Sequence, residues 1–480
     1  METHSKFRRT KIVCTIGPNT QTPERMRKLI ESGMDVARLN FSHGDRESHK
    51  ETIRSLRRVS RELGKEIAIL QDLGGPKIRL GNLPEEERIL ETGEQVIMSP
   101  GESSRTEIIP VGYPYLLEDI EVGDQILLAD GTVQLIVRGK KQDQAICEVL
   151  VGGPIRSHKG VNLPSSNLRI SAFTEKDRGD LAVGLEMGVD FVALSFVRSE
   201  KDLDDVLEIL GSLEKRPMLI AKIEKPQAVQ DLANILARVD GVMVARGDLG
   251  VEMPLEEVPI IQKQIIRTAR LAGKPVITAT QMLTSMMNNP RPTRAEATDV
   301  ANAILDGTDA LMLSDETAVG AFPMEAVSTL DRIARTTEPH FDERPLLNET
   351  MSELLPNTSA AISRAACWLA IDLKAAAIVA SSSSGSTARL VARYRPPCLI
   401  ITLTDRVETQ RQLCLSWGVI PTLAESFNDT DQMFAAARNW ALKGRIAEPG
   451  DRLIITAGVP VGVSGTTNLL KVMELSREES

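Results

Sequence analysis

The chain has 480 residues, 42% of them hydrophobic and 26% charged, with a formal charge of −9. That length predicts about three domains, and the acidic balance excludes a general nucleic-acid binder while leaving room for a small phosphorylated ligand in a local positive pocket. Five cysteines (Cys14, Cys147, Cys367, Cys398, Cys414) show no C-x-x-C spacing, and the start METHSKFRRTKIVCTIG has no apolar signal core. With no apolar run of membrane-spanning length, the expectation is a cytoplasmic protein with reduced thiols that touches neither nucleic acid nor membrane.

In chain order, apolar β-type runs fall at 11–17, 36–42, 67–73, 191–196, 219–224, 241–247, 275–280 and 310–316. Helical stretches such as 22–32, 256–272 and 294–305 separate them. Most of the runs are apolar until their last residues, as in parallel strands covered on both faces. Eight strand–helix repeats predict an α/β fold built on a closed (β/α)8 barrel, with its chemistry at the C-terminal strand ends. Between the third and fourth strands lies a glycine- and proline-rich stretch with turns every eight to twelve residues, which predicts an inserted all-β lid. After about residue 343, helix and strand alternate again, predicting an open α/β domain. The expected division is 1–74 with 171–344 for the barrel, 75–170 for the lid, and 345–480 for the C-terminal domain.

The stretch MLIAKIEKPQAV puts Lys222 and Glu224 two residues apart in an apolar strand, so they share a face. In a doubly covered strand, charges are expected only at a working end. The other ends agree. RLNFSHG gives Arg38, Asn40, Ser42 and His43; QDLGGPKIR gives Asp72, Lys77 and Arg79; ARGDLG gives Arg246, Gly247 and Asp248; TATQ gives Thr278, Thr280 and Gln281; SDET gives Ser314, Asp315 and Glu316. Glu224 and Asp248 are hard oxygen ligands on neighbouring strands with no thiolate nearby, which suits Mg²⁺ or Mn²⁺. Asp248 alone reads equally as a helix cap. Lys222 and Arg38 beside a divalent cation point to phosphoryl oxygens. His43, the one histidine at this rim, reads as structural. There is no GxxxxGK[ST] loop and no GxSxG elbow.

The stretches TKIVCTIGP, ARLNFSHG, AKIEKPQAV, VMVARGDLGVE, ITATQMLTSMMNNPRPTRAEATDVANAILDGTDALMLSDETAVG and SSSSGSTARLVARYRPP resemble, in order, those of the pyruvate kinase family, bacterial members in particular. The resemblance implies phosphoryl transfer from phosphoenolpyruvate to ADP, then protonation of the enolate to pyruvate. It implies Glu224 and Asp248 as Mg²⁺ ligands, with the metal bridging the substrate's carboxylate and phosphate. Lys222 steadies the phosphoryl group, and Arg38, Gly247, Asp248 and Thr280 contact substrate. Asn40, His43, Arg79 and Lys159 face the nucleotide, and Thr280, Ser314 and Glu316 form a proton relay. The family's K⁺ positions match Asn40, Ser42, Asp72 and the backbone at Leu73. Here DLGGPKIR departs from the family's common DTKGPEIR, and Lys77 is expected to stand in for K⁺. Of itself the serine run is a turn with a cap. The resemblance makes Ser381, Ser382, Ser383, Ser384, Ser386 and Thr387 a pocket for AMP or a sugar phosphate, faced by 462–468, in a homotetramer. An Mg²⁺-dependent lyase or aldolase of the phosphoenolpyruvate/pyruvate barrel group, and a catalytically silent paralogue, remain as alternatives.

Overall fold

The computed structural model describes residues 7–103, 105–166, 168–342, 347, 357–459 and 467–476. All eight expected strands form: β1 (Lys11–Thr15), β2 (Val36–Asn40), β3 (Ala68–Asp72), β4 (Phe191–Val197), β5 (Met218–Ile223), β6 (Gly241–Ala245), β7 (Val276–Ala279) and β8 (Ala310–Leu313). They pair in parallel, each with its sequence neighbour, and β8 closes on β1. β1, β3, β6, β7 and β8 are buried at every position, the consequence of being covered by helices outside and by packed side chains within. Four of the surrounding helices start on side-chain caps. Thr22 accepts from Arg25 N, and Thr174 and Thr293 form capping boxes with Asp177 and Glu296.

Between β3 and β4 the chain builds a six-stranded sheet, with a two-stranded ribbon of Arg88–Leu90 and Gly153–Ile155 beside it. Its longest strand, Val133–Lys141, alternates buried and half-buried positions at the start, as a sheet with one packed face requires. The C-terminal sheet has the order Val419–Leu423, Leu399–Thr404, Ala377–Ser381, Arg452–Gly458, Thr467–Glu474, with only the last strand antiparallel. The five cysteines are all free and buried. Among the described residues, no helix is long and apolar enough to cross a membrane.

Charges are not confined to the working end. Asp35, Asp190, Asp240 and Asp309 each stand one residue before an even-numbered strand. Each accepts the backbone N–H of a residue in the strand before it: Ile12 (2.8 Å), Ile69 (2.6 Å), Leu219 (2.8 Å) and Val276 (3.1 Å). Each also pairs with an arginine: Arg8 (2.9 Å), Arg57 (2.7 Å), Arg216 (2.6 Å) and Arg395 (2.8 Å). This lower mouth is plugged by the C-terminal domain. The turn Leu413–Leu415 inserts Cys414 and Leu415 among Val36, Leu70, Phe191, Met243 and Ile277 of the barrel interior.

Candidate active site

At the upper mouth the strand ends place four charged side chains in mutual contact. Lys222, at the end of β5, points its Nζ at Glu224 Oε1 (2.8 Å), Asp72 Oδ1 (3.4 Å) and Ser195 Oγ (2.7 Å). Arg38, from β2, donates Nε to Asp72 Oδ2 at 2.7 Å and Nη1 to Thr15 Oγ1 at 2.9 Å. Asp72 is thus clamped between two cations. Burial pushes its pKa up, but Lys222 and Arg38 outweigh that and leave it below the usual carboxylate range. Burial likewise opposes charge on Lys222, yet Asp72, Glu224 and Asp248 together hold its ammonium well above its ordinary value. The group stays charged at any working pH.

Glu224 is only 1% exposed, and burial raises its pKa despite Lys222. Its Oε2 accepts the Phe196 N–H at 2.7 Å, whereas Oε1 has the Lys222 ammonium, 2.8 Å away, as its one partner among the described residues. A buried carboxylate oxygen left in this state is the kind of donor a hard cation takes. Asp248, in the first turn of the helix Arg246–Glu252, lines the adjoining cleft and makes no side-chain cap there. Among the described residues no three acidic, histidine or cysteine side chains are arranged to hold a metal ion between them, and Glu224 and Asp248 are the pair on neighbouring strand ends. That fits Mg²⁺, which keeps several positions for water and substrate.

The cleft, about 250 Å³, runs between barrel and lid and is lined by Lys77, Arg79, Asp130, Lys159, Lys225 and Asp248 among others. Lys77, Arg79 and Lys159 are exposed on its lid side. Exposed His43 feels this charge. Partial burial, then Lys77, Arg79 and Arg38, lower its pKa and favour the neutral imidazole. Lys225 meets Glu252 at 2.5 Å, and Asn162 of the lid donates to the same Glu252 oxygen at 2.6 Å, so this carboxylate fastens the lid to the barrel.

On the far side, Gly247 N donates to Thr280 Oγ1 at 2.7 Å. Thr280 and Gln281 have φ of 66° and 56°, two consecutive left-handed residues at the end of β7, a strain typical of functional positions. Glu316 is buried, with its pKa raised by burial, and its two oxygens take Leu283 N (3.0 Å) and Ser314 N (2.7 Å). No direct bond joins Thr280 to Ser314 or Glu316 among the described residues. Thr278 points away from the barrel interior that Ile277 and Ala279 line, bonded to Thr308, and Arg246 braces the loop through Asp299 and the Thr280 carbonyl. At the family's K⁺ positions, Asn40 Oδ1 accepts Ser42 N (3.1 Å), and Leu73 O accepts the Ser195 hydroxyl (2.7 Å).

Two site residues escaped the sequence reading, Thr15 and Ser195. Thr15 ends β1 and Ser195 lies near the end of β4, and each hands its proton to a backbone carbonyl, Leu313 or Leu73, while receiving from Arg38 or Lys222. The available signal was a small hydroxyl closing an apolar strand.

The family descriptions "Pyruvate kinase, barrel domain" and "Pyruvate kinase, alpha/beta domain" match residues 7–327 and 360–473. The chain belongs to the pyruvate kinase family. It is 47% identical over 473 residues to a pyruvate kinase of Sporosarcina psychrophila, covering 97% of this chain and 80% of that one. It is also 47% identical over 479 residues to pyruvate kinase 2 of a Synechocystis strain, again 80% of that protein. A crystal structure of a pyruvate kinase from Cryptosporidium parvum superposes with a TM-score of 0.93 at 35% identity, covering 99% of this chain and 98% of that one. As a pyruvate kinase, the protein is a phosphotransferase, and its chemistry is exchange of a phosphoryl group between phosphoenolpyruvate and ADP. The lyase alternative has no support in these relatives.

In the C-terminal domain the serine run follows the strand Ala377–Ser381 and turns at Gly385 (φ 74°) into the helix Ser386–Ala392. Ser384 and Ser386 share a hydroxyl contact at 3.1 Å, and Thr387 Oγ1 is engaged with Thr467 Oγ1 at 2.7 Å. Of the expected facing loop, 462–466 lies outside the described residues.

Proposed function

We propose that the reaction runs at the upper mouth with Lys222 as its electrostatic pivot. The observation that carries this is the Lys222 ammonium held between Asp72, Glu224 and Ser195 with Asp248 nearby. A charge fixed this way needs no reorganisation as negative charge spreads over a transferring phosphoryl group. Arg38, braced by Asp72 and Thr15, supplies a second positive group on the same side. Glu224 and Asp248 would hold Mg²⁺, which when bound supplies charge neutralisation of the substrate's oxygens. The Gly247 and Thr280 pair bounds the site on the strand ends next to that of Lys222, and Thr280 Oγ1 would be one member of the proton relay. Glu316, through Leu283 and Ser314, sets the loops that carry it, so a solvent link is needed between Thr280 and Glu316. Asn40, His43, Arg79 and Lys159 would face the nucleotide phosphates. The test is pyruvate formation from phosphoenolpyruvate and ADP with Mg²⁺. Turnover in the parent chain that Lys222→Ala retains would reject the assignment.

The same reading gives Lys77 the place of K⁺. Lys77 reaches the cleft beside Asp248 and makes no ion pair or hydrogen bond among the described residues. Burial, and then Lys222, lower its pKa, while Asp248 and Asp72 work the other way. With K⁺ replaced by tetramethylammonium, the parent chain should keep its rate and Lys77→Glu should become K⁺-dependent. Dependence already in the parent would remove Lys77 from this role. The 381–384 run with Ser386 and Thr387 is the proposed pocket for AMP or a sugar phosphate. The Ser384 carbonyl held by Arg389 Nη2 at 2.9 Å fixes its shape. A cytoplasmic homotetramer with domains at 1–74 with 171–344, 75–170 and 345–480 completes the proposal.

A further inference from the structure

The loop before β7, the start of β8 and the end of the helix Ser386–Ala392 meet in a small cleft where the barrel rests on the C-terminal domain. Five cationic side chains line it (Arg270, Lys274, Arg389, Arg393 and Arg395), against one carboxylate, Asp309. Asp309 is already committed. Its Oδ2 takes Arg395 Nη2 and Val276 N, and its Oδ1 takes Trp417 N at 3.1 Å. Lys274 directs its ammonium at the carbonyls of Leu236 and Val239, and burial lowers its pKa.

Among the described residues, four donors at this one cleft have no hydrogen-bond partner: Arg389 Nη1, Arg393 Nε, Arg395 Nε and Ser416 Oγ. Arg393, Arg395 and Ser416 are 7%, 2% and 1% exposed. Buried donors are normally satisfied, so several at one place call for a common acceptor. Guanidinium groups only donate. A water here would bring two hydrogens of its own, with the Ser416 oxygen as the unpartnered side-chain acceptor at the cleft among the described residues, and would leave the charge uncompensated. An anion accepts from every side and offsets buried positive charge that is otherwise costly. The free volume is about 10 Å³, room for one body the size of a water molecule.

We infer that this cleft binds one small inorganic anion, of halide size, held by the C-terminal domain where it meets the barrel. Its ligands are Arg389 Nη1, Arg393 Nε, Arg395 Nε and Ser416 Oγ. Arg389 also holds the Ser384 carbonyl through its other nitrogen, so the anion lies one side chain away from the 381–387 loop.

Crystals of the full chain grown in sodium bromide should show an anomalous peak touching Arg389, Arg393 and Arg395. In solution, replacing a larger organic anion by bromide at constant ionic strength should raise Tm by about 2 °C. Arg389→Gln should lose that rise. A peak absent from the cleft, or occupied by water, overturns the inference. So does a bromide peak with parent and variant melting alike in both salts, which would mark an adventitious ion only.

Discussion

The two mouths of the barrel are both ringed with buried charge, and they use it in opposite ways. At the lower mouth each of Asp35, Asp190, Asp240 and Asp309 has an arginine and a backbone N–H from the neighbouring strand. At the upper mouth Asp72 is bound as firmly, but Lys77, Arg79 and Lys159 face an open cleft, and Lys77 has no ion pair or hydrogen bond among the described residues. The lower charges tie odd strands to even ones. The upper charges include groups left facing open space, as the proposed site requires. A charge at a strand end therefore does not mark a site. Incomplete satisfaction of that charge does.

The contrast can be broken from either side. The largest effect is expected from Lys222→Ala, which should cut kcat for pyruvate formation by about 10⁴-fold while leaving Tm little changed. A matching loss of Tm would mean that Lys222 belongs to the structural class. Conversely, Asp309→Ala should lower unfolding free energy by about 3–5 kcal/mol, because it strands Arg395, Val276 N and Trp417 N. Denaturant melts would read this. A drop below 1 kcal/mol, again about, would remove the latch role.

A subtler difference lies in acid. Burial would raise the pKa of Asp35, but Arg8, Lys11 and Lys65 hold it below the usual aspartate range. A depressed carboxylate contributes stability above its unfolded pKa and loses it as pH falls through the folded one. The stability gap between the parent chain and Asp35→Asn should therefore be constant at neutral pH and narrow below about pH 4. A gap that widened on acidification would contradict the assigned direction. The smallest effect is expected from Ser195→Ala, which takes one hydroxyl from Lys222. It should slow turnover by about tenfold and raise the Mg²⁺ concentration needed, with the fold intact.

Much of this was legible in the sequence, for a reason that also sets its limit. Parallel strands covered on both faces are apolar throughout, so β1 to β8 stand out as runs, and Arg38, Lys222, Glu224 and Asp248 as their exceptions. Thr15 and Ser195 were missed because a hydroxyl is unremarkable at a strand end, and only the fold shows what lies across from it. The four latch aspartates were overlooked for another reason. They stand one residue before the apolar run, in MDVAR, VDFVA, VDGVM and TDALM, where a reader places a turn. The left-handed backbone at Thr280 and Gln281 left no compositional trace either, since neither residue is a glycine.

The turn Leu413–Leu415 that closes the lower mouth has a consequence for how such proteins can be recombined. Cys414 and Leu415 are part of the barrel's own interior, beside Val36, Leu70 and Met243. A barrel expressed without the C-terminal domain would open that interior to water. A C-terminal domain borrowed from a relative would have to bring a turn of the same size and the arginine that meets Asp309. Exchange of C-terminal domains among such chains is thus constrained by a seam several residues long, and inheritance of the two parts is expected to be joint.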